Sequence, residues 1–241
     1  FACTFNSREL YNKVFGEMHK QFHITDYGGK PIERFLGVCV ERGPHGEYRL
    51  HQRPYIEQIL DRLDMSNSKL ASTPESPGTA AKLRKTKHMT TSEVKYMQSI
   101  PYREAVGALF YLCRATRFDI THAVSEVARF MGEPCPQHWD AVVRIYQYLN
   151  RTKDVALVMK SKPKPTCQIT ERSLEGYSDS DWAGCPSTRR SHTGWLVRIG
   201  DSLVAWYSKK QSTLAQSVTE AEYIAAAALA NEVIWWRRLL E

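Results

Sequence analysis

Glu175-Gly176-Tyr177-Ser178-Asp179, Gly194-Trp195-Leu196-Val197-Arg198-Ile199 and Leu203-Val204-Ala205-Trp206-Tyr207-Ser208, followed by Thr219-Glu220-Ala221-Glu222, form the stretch on which the fold turns. The first three runs carry the period of two that belongs to strands, and Gly200-Asp201 between the second and third predicts a tight hairpin. Thr219-Glu220-Ala221-Glu222 then opens an Ala-rich helix running towards Glu241. Three antiparallel strands and a helix are therefore expected at the C-terminal side.

The carboxylates of this stretch bear the chemistry. Asp179 closes the first strand, Asp181 follows two residues on, and Glu222 lies in the first turn of the helix. A strand-borne Asp and a helix-borne Glu brought together by a three-strand sheet are paired oxygen ligands of the kind that hold Mg²⁺ for phosphodiester hydrolysis. The structural alternative is also open: Asp179 and Asp181 as turn residues, and Glu220 and Glu222 as an acidic helix start that complements the helix dipole. A Ser/His/Asp hydrolase built from Ser178, His192 and Asp181 is disfavoured, because no nucleophile elbow surrounds Ser178.

Working towards the N-terminus, Val106, Leu109, Phe110 and Cys113 make one helical stripe after Pro101. Ile120, Val124, Val127 and Met131 make a second after Asp119, and Trp139, Val142, Val143, Tyr146 and Leu149 mark a third helix from Pro136 to Asn150. A Pro/Lys stretch, Lys160 to Lys164, closes this helical unit. From Ser66 to about Glu93 the apolar period disappears, and Lys82, Arg84, Lys85 and Lys87 cluster, which predicts a long mobile connector. Before it, Ser7 caps a helix with Leu10, Val14, Met18 and Phe22 on one face. Phe35–Val40 and Tyr48–Leu50 flank the turn-rich Arg42-Gly43-Pro44-His45-Gly46 as a hairpin, and Pro54 starts a short helix bearing Ile56, Ile59, Leu60 and Leu63. Gly28-Gly29-Lys30 lacks the rest of a phosphate-binding loop and reads as a turn.

The 241 residues carry 33 Lys plus Arg against 26 Asp plus Glu, a net charge of +7 that favours a polyanionic partner. The six cysteines form no C-x-x-C pair, which points to reduced thiols in an intracellular protein. His19 and His23 are the one close pair that resembles a zinc motif, and that reading is disfavoured. No apolar run approaches the roughly 20 residues of a membrane span.

Four motifs occur in order: Gly176-Tyr177-Ser178-Asp179-Ser180-Asp181-Trp182-Ala183-Gly184, Arg189-Arg190-Ser191-His192-Thr193-Gly194, Trp206-Tyr207-Ser208-Lys209-Lys210-Gln211 and Thr219-Glu220-Ala221-Glu222-Tyr223. Together they resemble the ribonuclease H domain of copia-type retrotransposon Pol polyproteins. Tyr102-Arg103-Glu104-Ala105-Val106-Gly107 with Arg117-Phe118-Asp119-Ile120 resembles the thumb of the same polyproteins, although the family usually has Pro where Phe118 stands. Phe35-Leu36-Gly37 with Gln52-Arg53-Pro54-Tyr55-Ile56 resembles the end of their polymerase palm.

The resemblance implies an α+β chain in four parts. Residues 1–65 would be the C-terminal part of a reverse transcriptase palm, with its helix and hairpin; 66–100 a flexible connector; 101–165 a helical thumb and connection; and 166–241 a truncated ribonuclease H-like α/β domain. It implies Asp179 and Glu222 as catalytic, Mg²⁺-binding carboxylates. It also implies Lys209 and Lys210, with Arg189 and Arg190, as contacts to a nucleic-acid backbone. The expected partner is an RNA/DNA hybrid or other nucleic acid, with self-association or another Pol chain besides, in a cytoplasmic particle or the nucleus.

The family's ribonuclease H uses two further aspartates, and its polymerase a Tyr-x-Asp-Asp turn, that have no counterpart here. The expected function is thus a reverse transcriptase/ribonuclease H fragment, incomplete for both activities as this chain. The competing expectations are a domesticated, non-catalytic module binding nucleic acid or protein, and an inert relic. Ile234, Trp235, Trp236, Leu239 and Leu240 on the last helix are expected to leave apolar surface exposed and to favour association.

Overall fold

A computed structural model describes residues 7–24, 31–83, 89–160, 174–185 and 187–240. The turn at Gly28-Gly29-Lys30 and the basic residues Arg84, Lys85 and Lys87 lie outside them. The architecture is α+β, with two antiparallel sheets and a helical body.

Helix α1 (Arg8–Gln21) begins where expected: Ser7 is extended, and its side chain accepts a hydrogen bond from the Leu10 N–H at 3.2 Å. Its expected buried face is not observed, since none of its residues is buried. Four-residue apolar spacing makes a face available for packing but does not supply the surface that covers it.

The first sheet runs β1 (Arg34–Phe35), β2 (Val38–Arg42), β3 (Tyr48–His51) and β4 (Leu157–Met159), in that order. The β2–β3 hairpin forms, with Arg42 opposite Tyr48 across the Gly/Pro turn, but the expected strand Phe35–Val40 is broken: Leu36 and Gly37, both at positive φ, turn the chain so that β1 pairs back on β2. Strand β4 is new: the chain returns after the helices and pairs Leu50 with Leu157. Three residues are too few to show a period, so this strand was not legible ahead of the Pro/Lys stretch.

Helix α2 (Arg53–Arg62) buries Ile56, Ile59 and Leu60 against the helical body. The body also contains α3 (Thr79–Leu83), α4 (Thr91–Ser99), α5 (Tyr102–Ala115), α6 (Thr121–Ala128) and α7 (Pro136–Arg151). Its core holds most of the stripes read above, with Val106, Leu109, Val124, Val142 and Leu149 fully enclosed, while Phe110, Met131 and Val143 are only partly buried and Leu112, outside the stripes, is fully enclosed. Buried tyrosines keep their hydroxyls satisfied: Tyr102 donates to the Val127 carbonyl and Tyr146 to the Ala105 carbonyl, both at 2.8 Å.

The stretch expected to be a mobile connector packs on this body where it is described. Met65, Ala71 and Leu83 are buried, the Ala71 N–H donates to the Gln147 carbonyl, and His138 Nε2 lies 2.7 Å from the Leu83 carbonyl. Thr90 and Glu93 then form a reciprocal capping box that starts α4. The apolar residues that anchor this stretch follow no repeat, so periodicity could not reveal them.

The second sheet is β5 (Leu174–Asp181), β6 (His192–Ile199) and β7 (Ser202–Lys210), followed by α8 (Val218–Leu240). The expected strands form, with Gly200 at positive φ in the β6–β7 turn. Helix α8 covers one face, where Gly176 lets Leu229 and Val233 approach: a Cβ there would meet their methyl carbons at 3.1 Å. The helical body meets the other face, where Trp206 Nε1 donates to the Cys113 carbonyl at 2.7 Å and its ring lies against Phe118. Ile234, Trp235 and Leu239 on α8 are exposed, in line with the expectation from their pattern.

Candidate functional site

Alternation along β5 sorts the candidate carboxylates. Gly176 faces α8, so Ser178 and Ser180 face it too, and Asp179 and Asp181 face the side of the helical body. Asp179 is exposed and pairs with Gly194, which puts no side chain beside it. Glu222, one turn into α8, reaches the neighbouring strand: its Oε1 accepts a hydrogen bond from the Ser180 N–H at 3.3 Å. The helix-borne carboxylate is thereby placed against the backbone of the residue next to Asp179, whose own side chain faces away from α8. Both groups offer hard oxygen donors, the ligand type that suits Mg²⁺.

The two neighbouring acids have other work. Glu220 Oε2 accepts from the Gln216 N–H at 2.7 Å while its own N–H donates to Ser217 Oγ at 3.1 Å, so it caps the start of α8. Asp181 is the last residue of β5 and leads into the turn at Gly184, which accommodates its carboxylate because it has no Cβ. The structural alternative for the acids therefore describes Glu220, whereas Asp179 and Asp181 both lie in the β5 ladder and are not turn residues.

The basic candidates divide into two groups. Lys209 and Lys210 end β7 and line a groove of about 950 Å³. The same groove is lined by Arg114 and Arg129 from the helical body and by Trp195, Trp206 and Tyr207 from the sheet. Trp195 and Tyr207 stack with centroids 5.4 Å apart. Arg189 and Arg190 are exposed on a separate loop that folds over Cys185, with Arg189 at positive φ and its N–H donating to the Cys185 carbonyl at 2.7 Å. Hydrogen bonds from Thr188 and Ser187 and the nearby Arg129 guanidinium outweigh burial and lower the Cys185 thiol to about 6.

A further cluster escaped the sequence reading. His122 and Glu126 on α6 and His192 on β6 bring one ligand atom each within 4.8 Å of one another. His192 Nδ1 lies 3.7 Å from Glu126 Oε1, and His122 Nδ1 lies 2.7 Å from Glu75 Oε1. Burial, with the charges of His122 and Arg129, lowers His192 to about 4, whereas the hydrogen bond to Glu75 raises His122. The i, i+4 spacing of His122 and Glu126 was the one available signal; His192 joins them only through the tertiary fold.

The Arg117-Phe118-Asp119-Ile120 motif is structural. Arg117 is fully buried and forms a two-pronged ion pair with Asp119, at 3.0 and 2.7 Å, while also donating to Thr152. Tyr148 OH adds a hydrogen bond to Asp119 at 2.8 Å.

Comparison with known proteins gives consistent relatives. The chain is 38% identical over 236 residues to a retrovirus-related Pol polyprotein from transposon TNT 1-94 of Nicotiana tabacum, covering 96% of this chain and 17% of the relative. It is 35% identical over 232 residues to an uncharacterized mitochondrial protein of Arabidopsis thaliana, covering 96% of this chain and 89% of that one. A retrovirus-related Pol polyprotein from transposon RE1 of Arabidopsis thaliana is 33% identical over 98% of this chain and 15% of its own length. The chain thus spans less than a fifth of either polyprotein. No family model matches it, and no solved structure does. Among the described residues, no helix is long and apolar enough to cross a membrane.

Proposed function

The chain belongs to the copia-type retrotransposon Pol polyproteins, and from that membership we propose that it is the part of such a polyprotein joining the end of the reverse transcriptase to the start of a ribonuclease H domain. The boundaries proposed are 1–65 for the palm end, 66–100 for the connector, 101–165 for thumb and connection, and 166–241 for the ribonuclease H-like part. The observation that carries the reading is the hydrogen bond from Ser180 N–H to Glu222, which holds a helix-borne carboxylate beside the strand that bears Asp179.

In this reading Asp179 and Glu222 would hold Mg²⁺, and the substrate would be the RNA strand of an RNA/DNA hybrid. When bound, the metal supplies activation of a water for attack on the phosphodiester and charge stabilisation on its oxygens. The chain's own residues do the positioning. The Ser180 N–H fixes the Glu222 carboxylate, and the bare Cα of Gly194 leaves the face beside Asp179 open to a phosphate. Two further aspartates implied by the family complete the set in the polyprotein. The reading is tested by hybrid binding and RNA-strand cleavage in Mg²⁺, comparing Asp179→Asn and Glu222→Gln with the parent chain.

A second reading, a nucleic-acid-binding module without cleavage, is favoured by the groove at β7. Four cationic side chains, Arg114, Arg129, Lys209 and Lys210, share it with Trp195, Trp206 and Tyr207, the combination of backbone neutralisation and aromatic faces used to hold unpaired bases. Salt-dependent binding that is indifferent to Mg²⁺ and to both carboxylate variants would select this reading.

A further inference from the structure

His192 belongs to the Arg189–Gly194 motif, yet the proposed chemistry at Asp179 and Glu222 does not use it. It is 8% exposed and faces α6, where His122 and Glu126 stand one turn apart on one side of the helix. We infer that His122, Glu126 and His192 form a three-ligand site for a divalent transition metal, zinc above all, that clamps helix α6 to strand β6.

The geometry supports a common centre. Ligands held at about 2.0–2.2 Å around a tetrahedral zinc stand about 3.4 Å apart, and His192 Nδ1 already lies 3.7 Å from Glu126 Oε1. The third ligand atom, from His122, is within 4.8 Å of both, so closure needs side-chain adjustment alone. Two imidazoles and one carboxylate suit zinc better than magnesium. The surroundings are those of a metal site as well. Glu75 Oε1 lies 2.7 Å from His122 Nδ1, which leaves Nε2 for the metal and orients the ring in the manner of a carboxylate–histidine–zinc triad.

The charge balance agrees. With His122 neutral, as metal ligation requires, Glu75, Glu126 and Asp181, the last paired with His192 across the β5–β6 ladder, give three negative charges against one from Arg129. A divalent cation neutralises the remainder. Arg129 Nη1 touches both Glu126 oxygens at 3.2 and 3.3 Å. Arg129 has another neighbour in Cys185 Sγ at 3.5 Å.

The experiment is Zn²⁺ titration of the full chain, with binding followed calorimetrically and by thermal unfolding, and Co²⁺ used as a visible-absorption reporter of the ligand field. One Zn²⁺ per chain should bind and raise the unfolding temperature, with Mg²⁺ inert at the same concentrations. His122→Gln, His192→Gln and Glu126→Gln should each abolish this, and Glu75→Gln should weaken it about tenfold. Asp179→Asn and Glu222→Gln should leave it unchanged, which separates this site from the proposed Mg²⁺ carboxylates. If the buried His192 variant does not fold, the outcome rests on His122→Gln, whose side chain is 46% exposed. Zn²⁺ binding unchanged in His122→Gln, or no stoichiometric binding by the parent chain, overturns the inference.

Discussion

Arg117 and Asp119, two residues apart at the end of α5, form a two-pronged ion pair in which the arginine is fully buried and the carboxylate also accepts from Tyr148. The pair ties the α5–α6 corner to Thr152 at the end of α7, because the same guanidinium donates to that residue's carbonyl and hydroxyl. Arg117→Met leaves Asp119 with a partly buried charge and no cation. It should cost about 3–5 kcal/mol in chemical unfolding, and a loss below about 1 kcal/mol would show the corner to be held by apolar contacts instead.

The same pair sets a pH dependence. Burial raises the Asp119 carboxyl, but the Arg117 hydrogen bonds and charge outweigh it and hold the group below the usual aspartate range. Since the folded value is the depressed one, the stabilisation is fully present above the unfolded aspartate's pKa and is lost as pH falls through the folded value. Acid titration of stability should therefore show a steeper fall in the parent chain than in Asp119→Asn. Parallel curves would contradict the assignment.

Gly176 permits the close approach of α8 to β5. Replacing it with Val puts branched carbons where Leu229 and Val233 already stand 3.1 Å from a bare Cβ position. The expected cost is about 1–3 kcal/mol of stability, read by urea unfolding. A variant as stable as the parent would mean that α8 shifts freely on the sheet.

What could be read from the residues, and what could not, follows from how many residues each feature needs. Strands β5–β7 span eight or nine residues each, long enough for alternation to show. Strand β4 has three, and its partner β3 lies more than a hundred positions away, so nothing local announces it. Met65, Ala71 and Leu83 anchor a stretch whose Ser, Thr, Pro and Lys content argued for a free connector. Among the acids, residue type could not separate Glu220 from Glu222; the hydrogen bonds do, turning one back to cap its own helix and the other across to Ser180. His122, Glu126 and His192 meet only when α6 docks on β6.

The groove at β7 has a measurable signature. Lys209→Gln and Lys210→Gln should each weaken binding of a single-stranded or hybrid nucleic acid at low salt and reduce the slope of log affinity against log salt by about one. Arg189→Gln, on a separate loop, should have a smaller effect at this groove. Equal effects from all three would indicate diffuse charge attraction in place of a defined path.

The central claim is that Asp179 and Glu222, and not the acids beside them, are the metal-holding carboxylates. The most direct measurement is the affinity of this chain for an RNA/DNA hybrid with and without Mg²⁺, with RNA-strand cleavage followed in the same samples. The account predicts that Mg²⁺ tightens binding, that Asp179→Asn and Glu222→Gln each remove this gain, and that Asp181→Asn and Glu220→Gln retain it. An affinity indifferent to Mg²⁺, or a gain that survives in Asp179→Asn and disappears in Asp181→Asn, would contradict it.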